Sequence, residues 1–177
     1  MATNINSIVT LLLAFGSTVL CIAMLRPIAP KIGLVDHPVG RKNHVGSIPL
    51  VGGIAIWLAF SLTLLIVGLT DKMVYLLVAS GLLVAVGAAD DVIEMSPLLR
   101  LILHVVAALI VCVFGGVVVH SLGELIVPGA EVRLAFFAIP FTVFAVVALV
   151  NATNMADGID GLCSMQVVIP LIGLAVL

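Results

Sequence analysis

From Met73 to Ala89 the chain runs 17 residues without a charge, then sets two carboxylates side by side, Asp90 and Asp91, with Glu94 close behind. An uncharged run of this length approaches the roughly 20 residues that carry a helix across a bilayer. The pattern recurs. Ile5–Leu25, Val51–Thr70, Leu98–Val119 and Leu134–Val150 read as further spans, and an incomplete sixth starts at Leu162. Only 9% of the residues are charged and 63% are hydrophobic, with a mean hydropathy of +1.42. A soluble domain carries about 25% charged residues, so this chain cannot cover a surface that faces water. Its apolar runs are too long and too little alternating for outer-membrane strands. The expected fold is an all-α polytopic membrane helix bundle of about six spans. It forms a single membrane domain over residues 1–177, incomplete at the C-terminus because the chain stops inside an apolar run. Met1–Ser7 lacks Lys and Arg, so the first run reads as a retained span rather than a signal peptide. Asp71–Lys72 reads as a tight turn, Pro49 as a helix start and Pro140 as a kink.

Parity sorts the loops. The connections after spans one, three and five must share a side of the membrane. They are the three strongly polar stretches: Arg26–Leu50, the acidic cluster at Asp90, and Asn151–Gly161. That side holds Arg26, Lys31, Arg41, Lys42 and Arg100, against Lys72 and Arg133 on the other. Positively charged loops stay in the cytoplasm, so the polar side is expected to be cytoplasmic. The net charge of −2 and a pI near 6.0 give no reason to propose a nucleic-acid partner. Cys21, Cys112 and Cys163 lie in apolar runs without metal-ligand spacing, and read as small packing residues.

Carboxylates at the end of a span are costly unless a proton, a basic side chain or a metal neutralises them. If helical geometry continues, Asp90 and Glu94 share a face, as do Asp91 and Glu94. Hard oxygen donors in such a cluster suit Mg²⁺, and an ionised acid could instead accept a proton from a nucleophile. A solvated helix end is the plainer alternative. In the third polar stretch Asn151, Asn154, Asp157 and Asp160 recur every third residue, one slowly drifting stripe if helical. Their amides and carboxylates can serve phosphate, ribose or metal, although an ordinary polar turn is again the alternative. In the first loop Arg41, Lys42 and His44 can hold phosphate groups, or can anchor the chain beside anionic lipid. Gly52–Gly53 either lets phosphate approach backbone N–H groups or lets helices pack closely. His104, four residues after Arg100, reads as a packed, hydrogen-bonded histidine, and Arg100 as a partner for Glu94 or an Asp.

Taken in order, Asp36-His-Pro-Val-Gly-Arg-Lys-Asn-His44, Pro49-Leu-Val-Gly-Gly53, Gly87-Ala-Ala-Asp-Asp91 and Asn151-Ala-Thr-Asn-Met-Ala-Asp-Gly-Ile-Asp-Gly-Leu162 resemble the polyprenyl-phosphate N-acetylhexosamine-1-phosphate transferases. The first loop is closer to the WecA type than to the muropeptide-precursor translocase type. The resemblance implies transfer of a sugar 1-phosphate from a UDP-N-acetylhexosamine, UDP-N-acetylglucosamine first among them, to undecaprenyl phosphate. UMP is released, and a cell-envelope polysaccharide is begun at the cytoplasmic face of the bacterial inner membrane. It implies Mg²⁺, or Mn²⁺ in its place. Asp90 and Asp91 then match the family's acidic pair, assigned to the lipid phosphate nucleophile or to metal. Asn154, Asp157 and Asp160 match the motif around the nucleotide and metal, with Asn151 at its head. Arg41, Lys42 and His44 match the basic loop. Glu94 stands where an Asp is common in the WecA type, so it enters the metal set on charge but with a longer arm. The family has roughly ten or eleven spans, and its later motifs are not in this chain, which is therefore expected not to turn over alone. A homodimer is compatible with the resemblance.

Two other classes compete. An ion-coupled transporter could use the acids as a cation site, but such sites lie near the bilayer midplane between repeated halves, and no repeat is visible here. A non-catalytic remnant would assemble with a second subunit carrying the missing motifs.

Overall fold

The computed structural model describes residues 2–36, 48–124, 129–156 and 162–176. It is an all-α membrane helix bundle, and the described residues form six α-helices with a ribbon of two-residue strands and short turns between them. Among the described residues four helical stretches are long and apolar enough to cross a membrane: Ser7–Leu25, Asp71–Ile93, Pro97–Phe114 and Ala135–Ala156. Gly52–Val67 and Ser164–Gly173 are shorter apolar helices.

Helix α1 (Ala2–Leu25) ends two residues before Pro27, whose ring disfavours helix in the residue ahead of it. A 3₁₀ turn over Ala29–Ile32 closes on Gly33, whose φ of 77° is the left-handed conformation that glycine adopts without a Cβ penalty. Strands β1 (Val35–Asp36) and β2 (Ile48–Pro49) then pair antiparallel, Val35 opposite Pro49 and Asp36 opposite Ile48. Pro49 therefore lies in an edge strand, and α2 (Gly52–Val67) starts three residues later. The ribbon ties the two ends of the first polar loop together. Ala29, Leu34 and Val51 form a small buried core beneath it, against which Leu25, Ile54 and Ala88 pack. Through Ala88 this core reaches the next-to-last turn of α3 (Asp71–Ile93).

Helix α2 packs on both α1 and α3. Ala55, Ala59 and Thr63 form a buried stripe at every fourth residue, and such small side chains let backbones approach closely within a bilayer. Against α3, Trp57 donates its indole N–H to Ser80 Oγ at 3.2 Å and the Leu77 carbonyl at 3.3 Å. Its ring lies over Gly81, where a Cβ would come within 2.8 Å of the indole. Asp71–Lys72 opens α3 rather than forming a turn. The break falls earlier, at Gly68 with φ 118°, and Asp71 in the first turn complements the helix dipole.

Ser96 and Pro97 start α4 (Pro97–Leu109) in a standard way: the Ser96 hydroxyl accepts from Leu99 N–H, and proline occupies the first turn. The helix loosens into a π-turn over Ile110–Phe114, short of the Val119 expected from the apolar run. On the far side of the bundle Ser121 bridges to Arg133, and Thr142 Oγ accepts the Val119 N–H at 2.9 Å. Helix α5 (Ala138–Ala156) follows a 3₁₀ turn at Ala135–Phe137. Pro140 falls in its first turn, where the missing N–H breaks no helix bond, so no kink is needed. The helix runs six residues past the expected Val150 and takes Asn151 and Asn154 with it. Helix α6 (Leu162–Val176) packs on α5.

Candidate functional site

Four helices deliver their polar ends to one cleft of about 550 Å³. The start of α2 contributes Gly53. The last turns of α3 contribute Leu83, Val86, Gly87, Asp90 and Asp91. The first half of α4 contributes Arg100 and His104, and the end of α5 contributes Leu149, Val150, Thr153 and Asn154. The cleft is thus apolar toward the middle of α3 and α5 and polar toward their ends. This follows from the chain's repeated order: an apolar run terminated by acids or amides, and the next run opened by a cap or a cation.

The two acids have different surroundings. Asp90 is partly buried, and both of its oxygens are engaged. Oδ2 accepts from Arg100 Nη1 at 2.6 Å, and Oδ1 accepts from Met95 N–H at 2.9 Å. One carboxylate thereby fastens the end of α3, the connection and the first turn of α4. Arg100 does pair with an aspartate, as its position suggested, and Asp90 is that aspartate. Asp91 is exposed on the adjoining strip of the helix, where it also borders a smaller cleft with Leu50, Gly53 and Gly87.

Helical geometry does not continue to Glu94. That residue caps α3 in a left-handed conformation (φ 45°), its N–H returning to the Asp90 carbonyl at 3.1 Å. Its exposed side chain does not line the cleft, because the chain must turn here to reach Ser96. On α5, Asn151 and Asn154 are both helical, but only Asn154 reaches the cleft. Asn151 donates to the Val147 carbonyl of its own helix at 2.8 Å. Arg41, Lys42, His44, Asp157 and Asp160 lie outside the described residues. Cys112 is buried and Cys21 half-buried, both as free thiols.

Sequence reasoning passed over Thr153 and underrated Arg100 and His104. The signal was present: a cation and an imidazole one helical turn apart, at the mouth of a membrane helix that follows paired acids. His104 is packed, as expected, but its Nδ1 is buried without a hydrogen-bond partner among the described residues, contrary to the satisfied histidine the sequence suggested.

The donor chemistry fits a hard divalent cation. Asp90 and Asp91 offer adjacent carboxylates, each Asp90 oxygen keeping a lone pair beyond the hydrogen bond it accepts, and Asn154 adds an amide oxygen to the same cleft. Among the described residues no three His, Cys, Asp or Glu side chains gather where they could hold a metal ion. Mg²⁺ is usually held by one or two carboxylates together with water and substrate phosphates.

Comparison with known proteins adds an independent line. Residues 73–177 match glycosyl transferase family 4. The chain is 40% identical over 152 residues to the undecaprenyl-phosphate alpha-N-acetylglucosaminyl 1-phosphate transferase of Escherichia coli K12, covering 84% of this chain and 40% of that protein. It is 41% identical over 141 residues to the Yersinia pestis protein of the same name, covering 77% of this chain and 38% of the relative. The Salmonella typhimurium protein of that name is likewise 40% identical over 152 residues, 84% of this chain and 40% of its own length. The chain therefore spans about 40% of the length of these relatives. No solved structure matches it.

Proposed function

The chain belongs to glycosyl transferase family 4, and from that premise we propose that it serves transfer of a sugar 1-phosphate from a UDP-N-acetylhexosamine, foremost UDP-N-acetylglucosamine, to undecaprenyl phosphate. The reaction breaks the phosphoanhydride bond of the donor, forms a new one on the lipid phosphate and releases UMP. By the distribution of Lys and Arg, the site faces the cytoplasm of a bacterium. The observation that carries this reading is the single cleft where Asp90, Asp91, Arg100 and Asn154 meet above an apolar wall. One substrate is soluble and the other lipid-borne, so the reacting groups must meet where the bundle passes from membrane to water.

Both reactants are anions and repel one another. Arg100, held by Asp90, offers a fixed cation to one of the phosphates, and the β1–β2 ribbon with the small core beneath it packs on α3 through Ala88. Asp91 and Asp90, with Asn154, would hold Mg²⁺, which supplies neutralisation of phosphate charge and alignment for in-line transfer. Leu83, Val86, Leu149 and Val150 give the inner part of the cleft an apolar lining. Transport of an ion is the weaker reading, since Asp90 and Asp91, the acids of the cleft, stand near the end of α3 and not at mid-depth.

The test is release of labelled UMP from UDP-N-acetylglucosamine by the full-length protein, supplied with undecaprenyl phosphate and Mg²⁺. Asp90→Asn and Asp91→Asn serve as controls. Release that depends on the lipid phosphate supports the reading. Unchanged release in both variants would remove the acidic pair from the reaction, and no release with any UDP-sugar would sink the reading itself.

A further inference from the structure

His104 follows Arg100 by one turn on α4 and lines the same cleft. It is only 6% exposed, and its Nδ1 is buried with no hydrogen-bond partner among the described residues. A neutral imidazole carries its proton on one nitrogen and a lone pair on the other. Leaving an N–H bare in a buried wall is rarer than leaving an acceptor under-used. The lone pair therefore belongs on Nδ1, and the proton on Nε2. In that tautomer His104 is a single, rigidly held donor at the wall of the cleft. Buried Ala107 and Ala108 on the same helix can offer its ring no side-chain acceptor. Among the described residues Asp90 accepts from Arg100 and Met95 and not from His104. Arg100 itself only donates. A donor with no acceptor among the described residues, one turn from a fixed guanidinium, is matched by an anionic oxygen brought in from outside.

We infer that His104 donates its Nε2–H to a phosphate oxygen of a substrate seated beside Arg100. This rests on the transferase reading given above. The lipid phosphate and the donor diphosphate present the same oxygen chemistry, so the experiment must separate them. Binding of UDP-N-acetylglucosamine and of a short-chain polyprenyl phosphate is measured separately on the full-length protein, for the parent, His104→Leu and His104→Gln, with thermal unfolding alongside. The glutamine amide can place a donor near the position of Nε2, whereas leucine cannot donate. The expected result is that His104→Leu weakens one of the two ligands about tenfold or more, while His104→Gln stays within about threefold of the parent for both. The ligand that weakens identifies which phosphate His104 touches. Should His104→Leu fail to fold, His104→Asn replaces it. Its shorter amide lies nearer the Nδ1 position, so it should weaken the same ligand. Parent-like binding of both ligands by a folded His104→Leu or His104→Asn overturns the inference. So does a His104→Gln that loses as much affinity as His104→Leu. A parent protein that binds neither ligand is a different result, and it removes the transferase reading along with this contact.

Discussion

Asp90 and Asp91 are neighbours in sequence but lie about 100° apart around a helix, and the fold gives them separate work. Asp90 bonds across the α3–α4 connection, to Arg100 and to Met95 N–H. Asp91 stands exposed at the cleft. Asp90→Asn should therefore lower thermal stability, by about 1–3 kcal/mol, because the amide offers one acceptor oxygen and no charge to Arg100. It should lose UMP release as well. Asp91→Asn should likewise lose UMP release. Melting curves and turnover measured on the same preparations check both effects of Asp90→Asn, and an unmoved unfolding transition in that variant would count against its part in the α3–α4 connection. Chelation of divalent ions should abolish release in the parent, and Mg²⁺ should restore it. The acidic pair itself was legible in the sequence, because two charges ending a 17-residue uncharged run are conspicuous. The division between them was not. It depends on α3 continuing to Ile93, past the end of the apolar run, and on Arg100 arriving from the next helix. Polarity marks where the bilayer ends, and a helix can keep turning in water beyond that point.

Helix ends, more than helix middles, place the site. The position of Arg100 depends on where α4 begins, and that start is set by the Ser96 hydroxyl on Leu99 N–H with Pro97 behind it. Ser96→Ala should cost about 0.5–2 kcal/mol and should raise the KM for a phosphate-bearing substrate, since the first turn that holds Arg100 against Asp90 loses its cap. Restoration by Ser96→Asp, itself a good cap, would tie the effect to capping rather than to side-chain size. Deeper in the membrane the α2–α3 contact works differently. Gly81→Val would drive a side chain into the Trp57 ring, which a Cβ already approaches to 2.8 Å. Overpacking of this kind costs about 1–3 kcal/mol, so the melting temperature should fall while the folded fraction keeps its turnover. The apolar runs announced every helix, but not its limits. Gly68 stops α2 before Thr70, Asp71 opens α3, the π-turn shortens the fourth span, and α5 carries Asn151 and Asn154 into the helix. Hydropathy measures compatibility with lipid, whereas caps, left-handed glycines and side-chain acceptors decide where hydrogen bonding ends.

For the whole molecule, the relation that matters is that odd-numbered helices end, and even-numbered helices begin, at the same boundary. Parity alone forces this for uninterrupted spans, which is why the gathering of distant polar stretches could be read before any coordinates. The cleft bears it out for α2, α3, α4 and α5, whose ends supply Gly53, Asp90, Arg100 and Asn154. Parity could not say which side chains would face inward. Asn151 turns to its own helix and Glu94 turns outward, while His104 turns in. The orientation in the membrane can be checked directly. In a background with Cys21, Cys112 and Cys163 replaced by alanine, single cysteines are introduced at Lys42, Glu94 and Asp157, and separately at Lys72 and Glu124. A membrane-impermeant thiol reagent applied to sealed right-side-out vesicles should label the second set and spare the first, and inverted vesicles should reverse the pattern. Acids and cations can act on one pair of phosphates only if they share a compartment. Labelling of positions 42 and 157 from opposite sides would therefore separate the basic loop from the Asn/Asp stretch and leave the cleft without a common substrate.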